Sequence, residues 1–178
     1  MRTIVVAALI AVAAVLAEGR QAAPDPKLRA QLAQLFPTAA SFSPKGGDPP
    51  HFKAYARAPA GAPSGALPVV SGYAFWTTEL EPLERGYDGP IKILVGMDTK
   101  GALTGVVVAE HHEPYGNFSI DLPRFPAQFK GKSIRDPFKV GGDIDAVSKA
   151  TMTVSSATRA VRNSARRVAR QLLIPPPQ

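Results

Sequence analysis

Two runs rich in β-branched and aliphatic residues, Ile91–Met97 and Leu103–Glu110, flank the polar turn Asp98-Thr99-Lys100-Gly101. Such residues suit a pleated, half-buried surface, and a glycine closing a short polar turn supplies the positive φ that reverses a strand. The spacing predicts a β-hairpin, and any fold of this chain has to accommodate it. A third run, Val69–Thr78, carries Tyr73, Phe75 and Trp76 and adds a strand with core aromatics. Helical spacing appears at two other places. Leu28, Leu32, Leu35 and Phe36 recur at i, i+4, i+7 and i+8 within Pro26–Phe36. Near the end, Ser155–Leu173 places Val161, Ala165, Val168 and Leu172 on one stripe and Arg159, Arg162, Arg166, Arg167 and Arg170 elsewhere, before Pro175–Pro177 stop the helix. These arginines read as a solvated face or as a docking surface for an acidic partner. The sum is an α+β fold: a twisted, mainly antiparallel sheet packed against a C-terminal amphipathic helix, plus a short N-terminal helix.

The remaining segments are read as connections. Residues 43–68 contain KGGDPPHF and APAGAPSGALP, and this Pro and Gly density predicts a meandering surface wrap with no domain of its own. Beyond Pro114-Tyr115-Gly116 the chain turns aromatic and irregular, with a short helix expected around Pro123–Phe129 and an extended piece over Lys139–Asp145. At the start, Arg2 precedes an apolar run from Ile4 to Leu16. That run is short of the roughly 20 residues a spanning helix needs and within the roughly 7 to 15 of a secretory signal core. Residues 1–17 are therefore expected to be a signal peptide, with an uncleaved anchor as the alternative, and export into a periplasm follows for a Gram-negative source. Residues 18–68 are expected to hold the N-terminal helix and the wrapping segment, and residues 69–178 the functional domain.

Absent residues exclude several chemistries. The chain has no Cys, which removes disulfides, thiolate iron–sulfur ligation and c-type haem attachment together. Any redox role needs another cofactor. The +7 net charge favours phosphates or acidic partners without naming one. Gly131-Lys132-Ser133 looks like the end of a P-loop, but Pro126 stands where that motif needs a glycine. GxGxxG and GxSxG are both missing, and the adjacent His111 and His112 would point to opposite faces of an extended segment, so no metal site is expected. Nothing points to nucleic acid or to a small-molecule substrate, and no acid–base pair stands at a recognisable spacing.

The segment from Asp143 to Thr153 is small and hydroxyl-rich and runs into the last helix. Backbone N–H groups of such a loop can approach a phosphate, and a helix N-terminus adds roughly half an elementary charge to hold it. Equally, Ser155 or Ser156 could simply cap the helix.

Within that segment, Asp145-Ala146-Val147-Ser148-Lys149-Ala150-Thr151-Met152-Thr153 resembles the flavinylation motif of the FMN-binding domain family, roughly D-x-x-S-G-A-T-x-T. The family includes the covalent-flavin domains of NosR and NirI regulators and of NqrC and RnfG. The resemblance implies that a flavin transferase moves FMN from FAD onto Thr153 as a phosphoester. It also implies that Ser148, Ala150 and Thr151 shape the phosphate loop and that Asp145 helps the transferase engage. Lys149 departs from the pattern, which has Gly there; if that position needs positive φ, lysine is strained by of order 1 kcal/mol, although its charge could pair with phosphate. His111-His112-Glu113-Pro114-Tyr115 similarly resembles the family's H-x-E-[TP] segment, implying that His111, Glu113 and Tyr115 line the cofactor.

Through Leu35-Phe36-Pro37, Gly86-Tyr87-Asp88-Gly89-Pro90-Ile91, Leu94-Val95-Gly96-Met97-Asp98 and Ser164-Ala165-Arg166-Arg167-Val168-Ala169-Arg170, the wider chain, over about residues 28–171, looks most similar to the periplasmic N-terminal domain of NosR and NirI regulators. No counterpart of their membrane helices or iron–sulfur domains is expected within these residues. The resemblance implies a periplasmic electron carrier with covalent FMN and a membrane or periplasmic redox partner, associated with nitrous-oxide or nitrate respiration. The alternative is a module of the same fold that carries no flavin and serves assembly or docking.

Overall fold

The computed structural model describes residues 25–63 and 66–173, so the expected signal peptide lies outside the described residues. The fold is α+β. Helix α1 (Pro26–Leu35) is followed by strands β1 (Ala39–Phe42), β2 (Phe52–Ala56) and β3 (Val70–Trp76), the single-turn helix α2 (Thr77–Leu80), and strands β4 (Lys92–Asp98) and β5 (Leu103–Glu110). A 3₁₀ turn at Gly116–Phe118, a short helix α3 (Arg124–Ala127) and the long helix α4 (Thr151–Leu172) complete it. The five strands form one antiparallel meander in chain order, β1-β2-β3-β4-β5. The expected hairpin is β4–β5, and Gly101 at its turn has φ +86°.

Alternation along the central strands sends side chains to two faces. Phe75 on β3, Ile93, Val95 and Met97 on β4, and Leu103 and Val106 on β5 join the first core, shared with Val154, Ala157, Val161, Ala165 and Val168 of α4. Ala74, Trp76 and Leu94 face the other way, onto Leu32, Leu35, Phe36, Phe52 and Ala54. The aromatic run of β3 is thus core on both faces. Phe125, Phe129 and Phe138 close one end of the first core, with Phe125 and Phe129 in edge contact at 5.2 Å between centroids. Each large apolar side chain buried here contributes about 1.5–3 kcal/mol.

The segment read as surface wrapping contains β2, and the chain before it contains β1, two strands that the composition hid. Phe52 and Ala54 are the buried positions of β2. Pro and Gly crowd only the flanks, while the strand itself, FKAYA, is too short for its alternation to stand out. Glycines let α1 approach its sheet face closely. A Cβ at Gly72 would stand 2.5 Å from the Phe36 ring, and one at Gly96 would stand 3.0 Å from Leu35 Cβ.

The arginines of α4 largely bind their own domain. Arg159 forks onto Glu84 at 2.7 Å, Arg166 donates to the Ile134 and Asp136 carbonyls, and Arg167 Nη1 donates to the Leu80 carbonyl at the end of α2. Among the described residues, no helix is long and apolar enough to cross a membrane.

Candidate functional site

Helix α4 begins at Thr151, four residues before the start expected from sequence. The Ala150 N–H closes a turn on Val147 O at 3.1 Å, and Val154 N–H then bonds Ala150 O at 2.9 Å, which starts the helix. Thr153 therefore lies inside the first helical turn. Ser155 and the buried Ser156 follow it within the helix and do not cap it. Ala150 at the N-cap makes no side-chain bond, and the first turn holds no acidic residue. The N–H groups of the first turn thus keep the partial positive charge of a helix start without a carboxylate of their own turn to offset it.

Lys149, just before this start, has φ +68°, in the left-handed region where glycine is favoured. This is the position at which the resembled motif carries Gly. Replacing Lys149 by Gly is expected to stabilise the fold by about 1 kcal/mol and raise Tm by about 2–4 °C in a thermal melt. A lowered Tm would show that relief of strain does not govern this position.

The carboxylate of Glu113 is the centre of the site. Glu113 is 6% exposed and Thr153 is 2% exposed, and the Thr153 hydroxyl donates to Glu113 Oε2. Two backbone donors hold the same carboxylate: Tyr87 N–H to Oε2 and Asp88 N–H to Oε1, each at 2.9 Å. Burial, the largest influence, favours the neutral carboxyl. Against it, the Thr153 hydroxyl and the Tyr87 and Asp88 amides together prevail and hold the carboxyl below its ordinary range. The Tyr87–Asp88 loop is closed by Gly86 N–H to Gly89 O at 2.7 Å and tied to α4 through Glu84 and Arg159. A Cβ at Gly86 would overlap Glu113 Oε1, so the glycine makes room for the carboxylate.

The other expected site residues fall around this pair in different ways. His111 Nδ1 accepts the Glu113 N–H at 3.1 Å, and its Nε2 faces Asp121 Oδ1 at 2.8 Å. Those two contacts assign the proton to Nε2. A Cβ at Gly116 would overlap the His111 ring, so this glycine also preserves packing space. Tyr115 is 45% exposed and leans on Phe118, with centroids 5.3 Å apart. Ala150 is buried, while Ser148, Lys149 and Thr151 are exposed. Asp145 is also exposed, with its N–H on Gln128 Oε1 at 2.7 Å. Upstream, the Asp143 carboxylate accepts from Lys139 N–H at 2.5 Å, Phe138 N–H and Lys132 Nζ, which anchors the loop's entry.

One contribution to the site escaped sequence reasoning. The backbone amides of Tyr87 and Asp88 carry no side-chain signal. Tyr87 (70%), whose N–H holds Glu113, Met152 (61%), next to Thr153 in the chain, and Phe118 (37%), against the Tyr115 ring, are exposed apolar groups.

The family model described as "FMN-binding domain" matches residues 86–166, which run from the glycine under Glu113 to the middle of α4. The chain is similar to the G subunit of the ion-translocating oxidoreductase complex of Haemophilus influenzae strain Rd, at 37% identity over 106 residues, covering 54% of this chain and 49% of that protein. The corresponding protein of Pseudomonas aeruginosa PAO1 is 38% identical over 91 residues, covering 46% and 42%, and that of Vibrio vulnificus YJ016 is 35% identical over 89 residues, covering 44% and 42%. The chain thus spans about half the length of the relatives it matches. Residues 86–166, with both members of the Glu113–Thr153 pair inside them, belong to the FMN-binding domain family.

Proposed function

We propose that this protein is an electron-transfer flavoprotein of the cell envelope that carries FMN on Thr153 through a phosphoester bond. The observation that carries the proposal is the Thr153 hydroxyl, set in the first turn of α4 and directed at the buried carboxylate of Glu113. The surrounding residues fit the cofactor's parts. The uncapped helix start, with Lys149 beside it, suits a phosphate. Tyr87, Tyr115, Phe118 and Met152 offer exposed apolar surface for a flavin ring. Bound FMN supplies one- or two-electron transfer, while the protein supplies position and electrostatics.

In this reading Ser148, Ala150 and Thr151 form the phosphate loop, Asp145 is presented to a flavin transferase, and His111 fixes the backbone of Glu113. Residues 1–17 direct export, 18–68 hold the N-terminal helix and the segment that supplies β1 and β2, and 69–178 form the flavin-bearing domain. The names of the ion-translocating relatives support a partner within a multisubunit redox complex. The resemblance to NosR and NirI supports a link to nitrous-oxide or nitrate respiration.

Co-expression with a flavin transferase and export, followed by intact-mass analysis, tests the attachment. The wild type is expected to gain an FMN-sized mass and a yellow colour that survives denaturation. Unmodified, colourless protein under those conditions sinks the proposal. It would favour the second reading, a flavin-free docking module, for which Lys149 at φ +68° and the buried Thr153 are the supporting observations.

A further inference from the structure

A threonine hydroxyl that becomes a phosphoester must lose its proton, and the structure shows where that proton points. Thr153 Oγ1 donates to Glu113 Oε2. That oxygen is also held by the Tyr87 amide, while the Asp88 amide holds Oε1, so the carboxylate has little freedom to turn away. Its backbone is fixed too, by the Glu113 N–H to His111 Nδ1. We propose that Glu113 is the base that accepts the Thr153 proton during flavin attachment. This inference rests on the covalent-FMN reading above and deepens it.

The step balances without any redox change. Thr153 Oγ1 attacks the phosphorus of the FMN half of flavin adenine dinucleotide, forming the Oγ1–P bond. The P–O bond to the AMP half breaks, and AMP leaves with the electron pair. The hydroxyl proton passes to Glu113 Oε2 and from there to solvent. A depressed carboxylate is ionised and ready at neutral pH, although it is a weak base. An approaching pyrophosphate counters that weakness, because an anion beside Glu113 raises its proton affinity at the moment the proton is released. The groups facing Glu113 in the free protein are Thr153 from α4, Tyr87 and Asp88 from the loop before β4, and His111 after β5. In the product, the hydroxyl proton that Glu113 accepted is replaced by a phosphodiester anion.

Two measurements test this. The first is the rate of FMN incorporation by intact mass, using the full chain, purified flavin transferase and FAD. Glu113→Gln is nearly isosteric and keeps an oxygen for one of the two amides. Its rate is expected to fall by about 100-fold or more, with the residual rate rising with pH where the wild type is flat. Glu113→Ala is expected to recover rate on addition of formate. A Glu113→Gln rate within about threefold of wild type, or a reduced rate with the wild-type pH dependence, overturns the proposal.

The second measurement needs no flavin. The Tyr87 and Asp88 amide resonances should titrate with the Glu113 carboxyl, and Thr153→Val should move their midpoint upward by removing a donor to the charged form. An unmoved midpoint overturns the role of Glu113 while leaving covalent attachment standing, and it decides the matter should the Glu113 variants fail to fold. A wild type that acquires no FMN overturns the attachment itself and this step with it.

Discussion

Thr153→Val, expressed with a flavin transferase, is expected to carry no covalent FMN and to emerge colourless, whereas Thr153→Ser retains the modification. Valine keeps the branched shape in a position that is 2% exposed, so packing in the first turn of α4 is preserved. What it removes is the nucleophilic oxygen and the donor to Glu113. Hydrogen bonds to a charged group are worth about 1.5–3 kcal/mol, so the unmodified variant should also melt about 3–12 °C lower than unmodified wild type. Serine restores both the oxygen and the bond. Intact mass before and after denaturation reads the attachment, and a thermal melt of transferase-free protein reads the hydrogen bond. Retention of an FMN-sized mass by Thr153→Val would move the attachment elsewhere, with exposed Thr151 one residue past the N-cap as the first position to map.

The site and the fold differ in how much of them the sequence disclosed. The β4–β5 hairpin was legible because both arms are long, apolar and joined by a polar turn ending in Gly101. Helix α1 was legible because Leu28, Leu32 and Leu35 keep helical spacing over ten residues. Strands β1 and β2 were not, since four- and five-residue strands between glycines and prolines have too few alternations to register. The start of α4 was placed late for a different reason. Ser155 and Ser156 are better cap residues than Ala150, yet Lys149 in the left-handed conformation turns the chain first and lets the helix begin at Thr151. Within the site, Thr153 and Glu113 were each legible through motif resemblance. Their contact was not, because 40 residues separate them and no local pattern encodes it. The backbone donors of Tyr87 and Asp88 lie beyond any residue-type argument, since every residue but proline carries an N–H.

The glycine beside those donors gives the other large expected effect. Gly86 is absent from the residues with positive φ, so alanine meets no backbone strain there. Its Cβ would instead overlap Glu113 Oε1 and stand 2.5 Å from Cδ. Contacts that short require displacement of the carboxylate, and the carboxylate is buried and held by Thr153, Tyr87 and Asp88. Moving it leaves a buried charge short of donors, so Gly86→Ala is expected to cost about 3 kcal/mol, or about 6–12 °C in Tm. Flavin incorporation should fall with it, because the Thr153 hydroxyl loses its acceptor.

The cause can be separated from a general intolerance of the loop by a double-mutant cycle. Glu113→Ala removes the group that the new methyl would strike, so adding Gly86→Ala to it should cost less than about 0.5 kcal/mol. The resulting coupling of about 2–3 kcal/mol would place the effect of Gly86 in its contact with the carboxylate. Additive losses would instead show that the methyl disturbs the Glu84–Arg159 tie or the turn closed on Gly89. In that case the loop before β4 would be positioned by α4, and the carboxylate of Glu113 would follow it.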